Sequence, residues 1–145
     1  MRSVLITTCI FLLAAQSLDS KRDLICHTWR LIGIKSFGKD FTPARGPKDE
    51  VLTFLGNGTY EKLLYGQLTI KGEWNFNPDS SKLAFSVTSM NGADMPSIPL
   101  KNTIPADSII KLTSDTLIDA RLAYFGPKKE YRHDDWYYIK ADNDK

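Results

Sequence analysis

The chain is predicted to be all-β: an eight-stranded antiparallel up-and-down barrel preceded by a short N-terminal helical turn. Three features lead there. First, Leu68–Phe76 alternates without a break, with Leu68, Ile70, Gly72, Trp74 and Phe76 on one side and Thr69, Lys71, Glu73 and Asn75 on the other. A side-chain period of two sets the first group against a core and the second in water. Second, seven more short segments of strand character are separated by turns rich in Gly, Pro, Asn and Asp. Third, no stretch reads as a long helix. A sandwich also accommodates such a chain, and the pattern of loop lengths favours the barrel.

Residues 1–17 read as a secretory signal peptide. Arg2 supplies the positive start, Val4 to Ala15 is a nearly uninterrupted apolar run, and Ala15-Gln16-Ser17 is a small-x-small cleavage site. The run is too short and too weakly flanked for a membrane span. Residues 18–145 are then a single secreted or periplasmic domain. Lipoprotein anchoring through Cys9 is disfavoured, because Thr8 is a poor residue before a lipidated cysteine and only Met1–Thr8 precede it. With Cys9 gone, Cys26 is the sole cysteine, so no internal disulfide forms and the core alone holds the fold. The formal net charge of +2 falls to +1 on loss of Arg2, with the signs interspersed. That balance gives no electrostatic case for nucleic acid or an anionic membrane as partner.

After the helical turn within Leu18–His27, a strand runs over Thr28–Phe37 with Trp29, Leu31 and Gly33 sharing a face. Gly38–Glu50 is a loop with Pro43, Gly46 and Pro47. Val51–Leu55 turns Leu52 and Phe54 inward, and Gly56-Asn57-Gly58 makes a tight hairpin into Thr59–Tyr65 because these residues tolerate positive φ. That hairpin also accounts for the formal N-glycosylation triplet Asn57-Gly58-Thr59. Gly66-Gln67 leads into Leu68–Phe76, and Asn77–Ser80 into Lys82–Thr88, where Leu83, Phe85 and Val87 face one way. Ser89–Ala106 is the longest loop. Ser108–Thr113, Thr116–Phe125 and Glu130–Lys140 complete the set, with Ile118, Ala120, Leu122 and Tyr124 expected on the inner face.

In a meander the loops alternate between ends. Segments 38–50, 89–106 and 126–129, long or Pro/Gly-bearing, fall at one end, and the other end has only brief turns. That asymmetry suits a cup with an open, lid-bearing mouth and a closed floor. Phe54, Tyr60, Trp74, Phe76, Phe85 and Tyr124 fall on expected inner faces, where they either line the cup or fill it. Phe41, Met90, Met95, Ile98 and Tyr124 are expected at the mouth, Met being an adaptable lid residue. The expected ligand-binding set is therefore Phe41, Phe54, Tyr60, Trp74, Phe85, Met90, Met95 and Tyr124. Lys39, Arg45, Lys48, Lys101, Lys128 and Lys129 outnumber Asp40, Asp49, Glu50 and Asp94 in the mouth loops, which favours an acidic head group.

No catalytic residue, metal or cofactor is expected. His133-Asp134-Asp135-Trp136 is the most enzyme-like string, yet a regular strand sends His133 and Asp135 to one side and Asp134 to the other. Cys26 and His27 are adjacent in sequence, do not face each other, and have no third orienting group. No metal-ligand spacing, phosphate-cradling glycine loop or nucleophile elbow is present.

Trp29, Leu-Thr-Phe at 52–54 with Gly-Thr-Tyr at 58–60, Gly-x-Trp at 72–74, Leu83 and Ile-x-Lys-Leu-Thr-Ser-Asp-x-Leu at 109–117 together resemble the lipocalin-like domain proteins of Bacteroidetes-type bacteria. The likeness covers about Leu24 to Ile139. It implies a secreted or lipoprotein-like barrel with no catalytic residues to carry over. One departure is His27, where the family has the Gly of its Gly-x-Trp. The same resemblance makes Asp107-Ser108-Ile109 and Asp115-Thr116-Leu117 look like O-glycosylation sites, at Ser108 and Thr116. The expected function is a secreted lipocalin-like barrel that binds a small apolar or amphipathic ligand at its open end. The alternative is a packed barrel that meets an envelope or secreted protein partner, as an interaction or inhibitor module, through loops 38–50 and 89–106. An enzyme using His133, Asp134 and Asp135 comes last.

Overall fold

The computed structural model describes residues 20–36, 39–46, 48–96, 107–125 and 130–141, with the side chains of residues 122–125 and 130–132 outside that set. A short helix, α1, covers 20–25. It is followed by β1 (Thr28–Ser36), β2 (Phe41–Pro43), β3 (Glu50–Phe54), β4 (Thr59–Leu64), β5 (Leu68–Phe76), β6 (Lys82–Met90), β7 (Ala93–Asp94), β8 (Asp107–Leu112), β9 (Thr116–Phe125) and β10 (Glu130–Lys140). Eight of these close an antiparallel barrel in the order β1-β3-β4-β5-β6-β8-β9-β10, and β10 returns to pair with β1. Closure removes the free edges that an open sheet would expose. β2 and β7 are short additions beside β1 and β6. The all-β barrel and its leading helix are as the sequence predicts.

β5 shows the physical basis most plainly. Gly72, Trp74 and Phe76 are buried while Lys71, Glu73 and Asn75 are exposed. Its neighbour β4 stays in register through Tyr60 opposite Gly72, and the glycine leaves room for the tyrosine ring. The β3–β4 hairpin is set by Gly58 at φ +87° and by the Asn57 carboxamide oxygen, which accepts from the Thr59 amide at 3.0 Å and hydroxyl at 2.7 Å.

The floor is closed by α1. Ile25 is completely buried, and its carbonyl accepts the Trp29 indole N–H at 2.8 Å. The Arg22 guanidinium lies 4.9 Å from the centre of the Trp74 ring, and Lys21 donates to the Ser80 carbonyl at 3.2 Å. The helix therefore sits across the β3–β4 and β5–β6 turns. Above it, Trp29, Leu52, Phe54, Trp74, Phe76, Leu83 and Leu117 form a continuous core.

Two expected faces are corrected. In β1 the register against β10 slips between Leu31 and Gly33. One extra residue reverses the parity of everything after it, so Ile34 takes the next core position. Gly33 turns outward beneath Phe41, where an added Cβ would stand 2.2 Å from the ring. In β9 the buried residues are Leu117 and Asp119, and Arg121 follows them inward; Ile118 and Ala120 lie on the other face. The side chains of Leu122 and Tyr124 are outside the described set. The charged pair turns inward because its partners wait there.

Candidate functional site

At mid-barrel, five strands contribute polar side chains to the interior. Glu50 opens β3 on the same parity as Leu52 and Phe54, and only 4% of it is exposed. Arg121 reaches across from β9 to grip its carboxylate with two N–H donors, at 2.8 Å to Oε1 and 3.4 Å to Oε2. Tyr138 of β10 donates to Oε1 at 2.5 Å, and Lys62 of β4 stands 3.4 Å from the same oxygen. Arg121 also donates to the Tyr138 hydroxyl and, through Nε, to Asp119 at 3.0 Å, with Asp107 of β8 at 3.6 Å. Its guanidinium stacks over Trp136 at 4.1 Å. A forked, planar cation is the side chain suited to hold several carboxylates and a ring at once.

The balance of charge shows in the titration behaviour. Burial pushes the Glu50 carboxyl upward, yet the Arg121 and Lys62 charges and the hydrogen bonds from Arg121 and Tyr138 outweigh it and hold the group at about 2. Asp107 goes the other way: burial lifts it to about 6, with Arg121 opposing and Asp119 adding to the rise. Burial likewise raises Asp119 and, with Arg121, lowers Lys62. Three carboxylates share two cations, so Asp107 and Asp119 hold their protons to higher pH than they would in an unfolded chain, while Glu50 gives its proton up more readily.

This has a measurable sign. A carboxyl whose folded pKa is raised contributes stability below its unfolded value near 3.8, and that stability is lost as pH rises through about 6. Glu50 contributes the opposite way, and its share is lost only as pH falls from 4.5 toward about 2. Asp107→Asn is therefore expected to stabilise the protein at pH 7.5 by on the order of 2 kcal/mol, and by roughly a third of that at pH 4.5, which lies just above the unfolded value. Thermal melts of both proteins across that range check it. The variant-minus-wild-type difference cancels His27, lowered by burial and Lys140, and reads Asp107 together with the groups that feel its charge, Lys62 among them. An equal difference at both ends of the range would show that Asp107 does not titrate as stated.

Beside this network the barrel wall parts. β1 pairs with β3 only through Thr28–Arg30, then with β2 through Gly33–Lys35. No ladder joins β2 to β3 among the described residues. A cleft of about 280 Å³ opens there, walled by Leu31, Ile34, Pro43, Ala44, Leu64 and Trp136. Glu50 also lines it, with Thr42, Arg45, Asp49 and Tyr65. Mostly apolar walls with a few convergent polar groups are the make-up of a small-molecule site.

The expected ligand-binding residues are placed elsewhere. Phe54, Tyr60, Trp74 and Phe85 pack on one another, with ring centres 5.2 Å apart for Phe54–Trp74 and Tyr60–Phe85, and fill the floor half. Phe41 lies on the outside against Tyr137, edge to face at 5.5 Å. Met90 is half-buried opposite Ile70, and Met95 is exposed. Ile98, Lys101, Lys128, Lys129, the Tyr124 side chain and the expected signal peptide at 1–17 lie outside the described residues. None of the seven expected residues whose side chains are described lines the cleft. The His133 string is divided as expected: His133 is exposed, while Asp134 sits opposite Arg121 with Oδ1 buried. No cluster of three metal-ligating side chains occurs among the described residues.

Sequence reasoning missed Glu50, Lys62, Asp107, Asp119 and Arg121. The signal was available in part: Glu50 shares parity with Leu52, and Lys62 with Tyr60.

No family model matches the chain, and no curated protein matches it. Among solved structures it is similar to a DUF4847 family protein from Bacteroides vulgatus, at 13% identity and a TM-score of 0.47, over 85% of this chain and 99% of that one. The functional reading rests on this chain's own geometry. No helix among the described residues is long and apolar enough to cross a membrane.

Proposed function

We propose that this protein is a secreted or periplasmic barrel, without catalytic activity, that holds a small apolar or amphipathic molecule in the cleft beside Glu50. The cleft itself is the supporting observation: about 280 Å³ with six apolar wall residues and a buried carboxylate. Its volume is near the small end of ligand sites, roughly 300 Å³, so the ligand is small. The signal segment supports export.

Native mass spectrometry on gently purified protein tests the reading. A bound small mass is expected that leaves on denaturation and is missing from Ala44→Trp, whose indole would occupy the cleft. A bare wild-type mass, together with no binding by any added small molecule, would sink it. The second reading then gains. The floor half is filled, and Phe41 and Tyr65 are 46% and 73% exposed beside the cleft. Those two side chains would serve a protein partner at the 38–50 loop.

A further inference from the structure

Resting on the cleft reading, we infer that the site selects a molecule with a primary ammonium end over one with a carboxylate end. This reverses the acidic head group that the lysine-bearing mouth loops suggest. The cleft's most deeply buried polar group is Glu50, and its two oxygens are not equally used. Oε1 is met by Arg121, Tyr138 and Lys62, whereas among the described residues Oε2 takes only the long 3.4 Å contact from Arg121. A carboxylate oxygen has two lone pairs, so Oε2 retains room for a further donor, and Glu50 lines the cleft from which one would come.

The field behind Glu50 has the same sign. On the inner faces Glu50, Asp107, Asp119 and Asp134 stand against Lys62 and Arg121. Two of those carboxylates carry a buried oxygen without a hydrogen-bond partner among the described residues, Asp119 Oδ1 and Asp134 Oδ1. A surplus of negative charge in a poorly solvated interior attracts a cation and repels an anion more strongly than the same charges in water. At the rim Arg45 and Asp49 offset each other. Leu31, Ile34 and Leu64 supply the wall for a short apolar body.

Calorimetric titration of the wild-type protein with n-hexylammonium, hexan-1-ol and hexanoate tests this. Hexylammonium is expected to bind at least about tenfold tighter than hexanoate, with hexanol between them. Ala44→Trp should abolish all three. Hexanoate binding as well as or better than hexylammonium overturns the inference and leaves the cleft reading standing. Failure of all three overturns both. Folded Glu50→Gln should bind hexylammonium no tighter than hexanol, and a retained preference would overturn the role given to Glu50. If that variant does not fold, the wild-type ranking decides alone.

Discussion

Arg121→Met is expected to destabilise the protein by about 3–5 kcal/mol, the cost of leaving buried carboxylates without their cation. Among the described residues Arg121 is the one group that touches Glu50, Asp119, Asp107, Tyr138 and the Trp136 ring together, and its side chain is only 16% exposed. Its removal leaves Lys62 alone against three carboxylates, and Asp119 loses the hydrogen bond to its Oδ2. A domain of this size has roughly 5–15 kcal/mol in all, so the melting temperature should drop by about 10 °C or more. Arg121→Lys keeps the charge but loses the fork, and should fall between the two. The loss should shrink at mildly acidic pH, where Asp107 holds its proton more readily. A melt of Arg121→Met within a few degrees of wild type would mean that the network is solvated and contributes little.

Gly72→Ala is the second large effect, by a different cause. A Cβ at Gly72 would stand 1.8 Å from the Ser86 carbonyl oxygen and 2.7 Å from the Tyr60 ring. The ring can shift, but the carbonyl belongs to β6 and cannot retreat without breaking the ladder that pairs Gly72 with Val87. Overpacking typically costs about 1–3 kcal/mol where side chains alone yield, and a backbone obstacle puts this case at or above the upper figure. Adding Tyr60→Leu should return only a small part of the loss, because it leaves the carbonyl in place. Full recovery in the double variant would show that the ring, not the backbone, was the obstacle. Chemical denaturation of the three proteins gives the comparison.

The barrel was legible because its determinants are short-range. Alternation in β5, the Gly58 hairpin and the brevity of the floor turns each act within a few residues. The two misread faces had different causes. In β1 the inserted residue near Ile32 leaves the composition unchanged while reversing the parity, and only the pairing with β10 reveals it. In β9 the apolar residues Ile118 and Ala120 made the wrong face look like the core, because Asp119 and Arg121 read as solvent residues when taken alone.

The aromatic residues show how the site itself divided. Their inward parity could be read from the chain for Phe54, Tyr60, Trp74 and Phe85. Whether they would line a space or fill it depended on what closed the floor, and α1 with Ile25 closes it. The space lies instead where β1 exchanges β3 for β2, a choice of partner made in three dimensions.

Strand period and turn chemistry are local, so the order of the eight strands and the short leading helix follow from the residues as written. The polar layer is not local. Glu50 and Arg121 are 71 positions apart and Glu50 and Tyr138 are 88 apart. A buried charge is tolerable only beside its counter-charge, and closure of the barrel is what brings these groups together. The tertiary structure alone turned five residues that look like surface into the centre of the molecule.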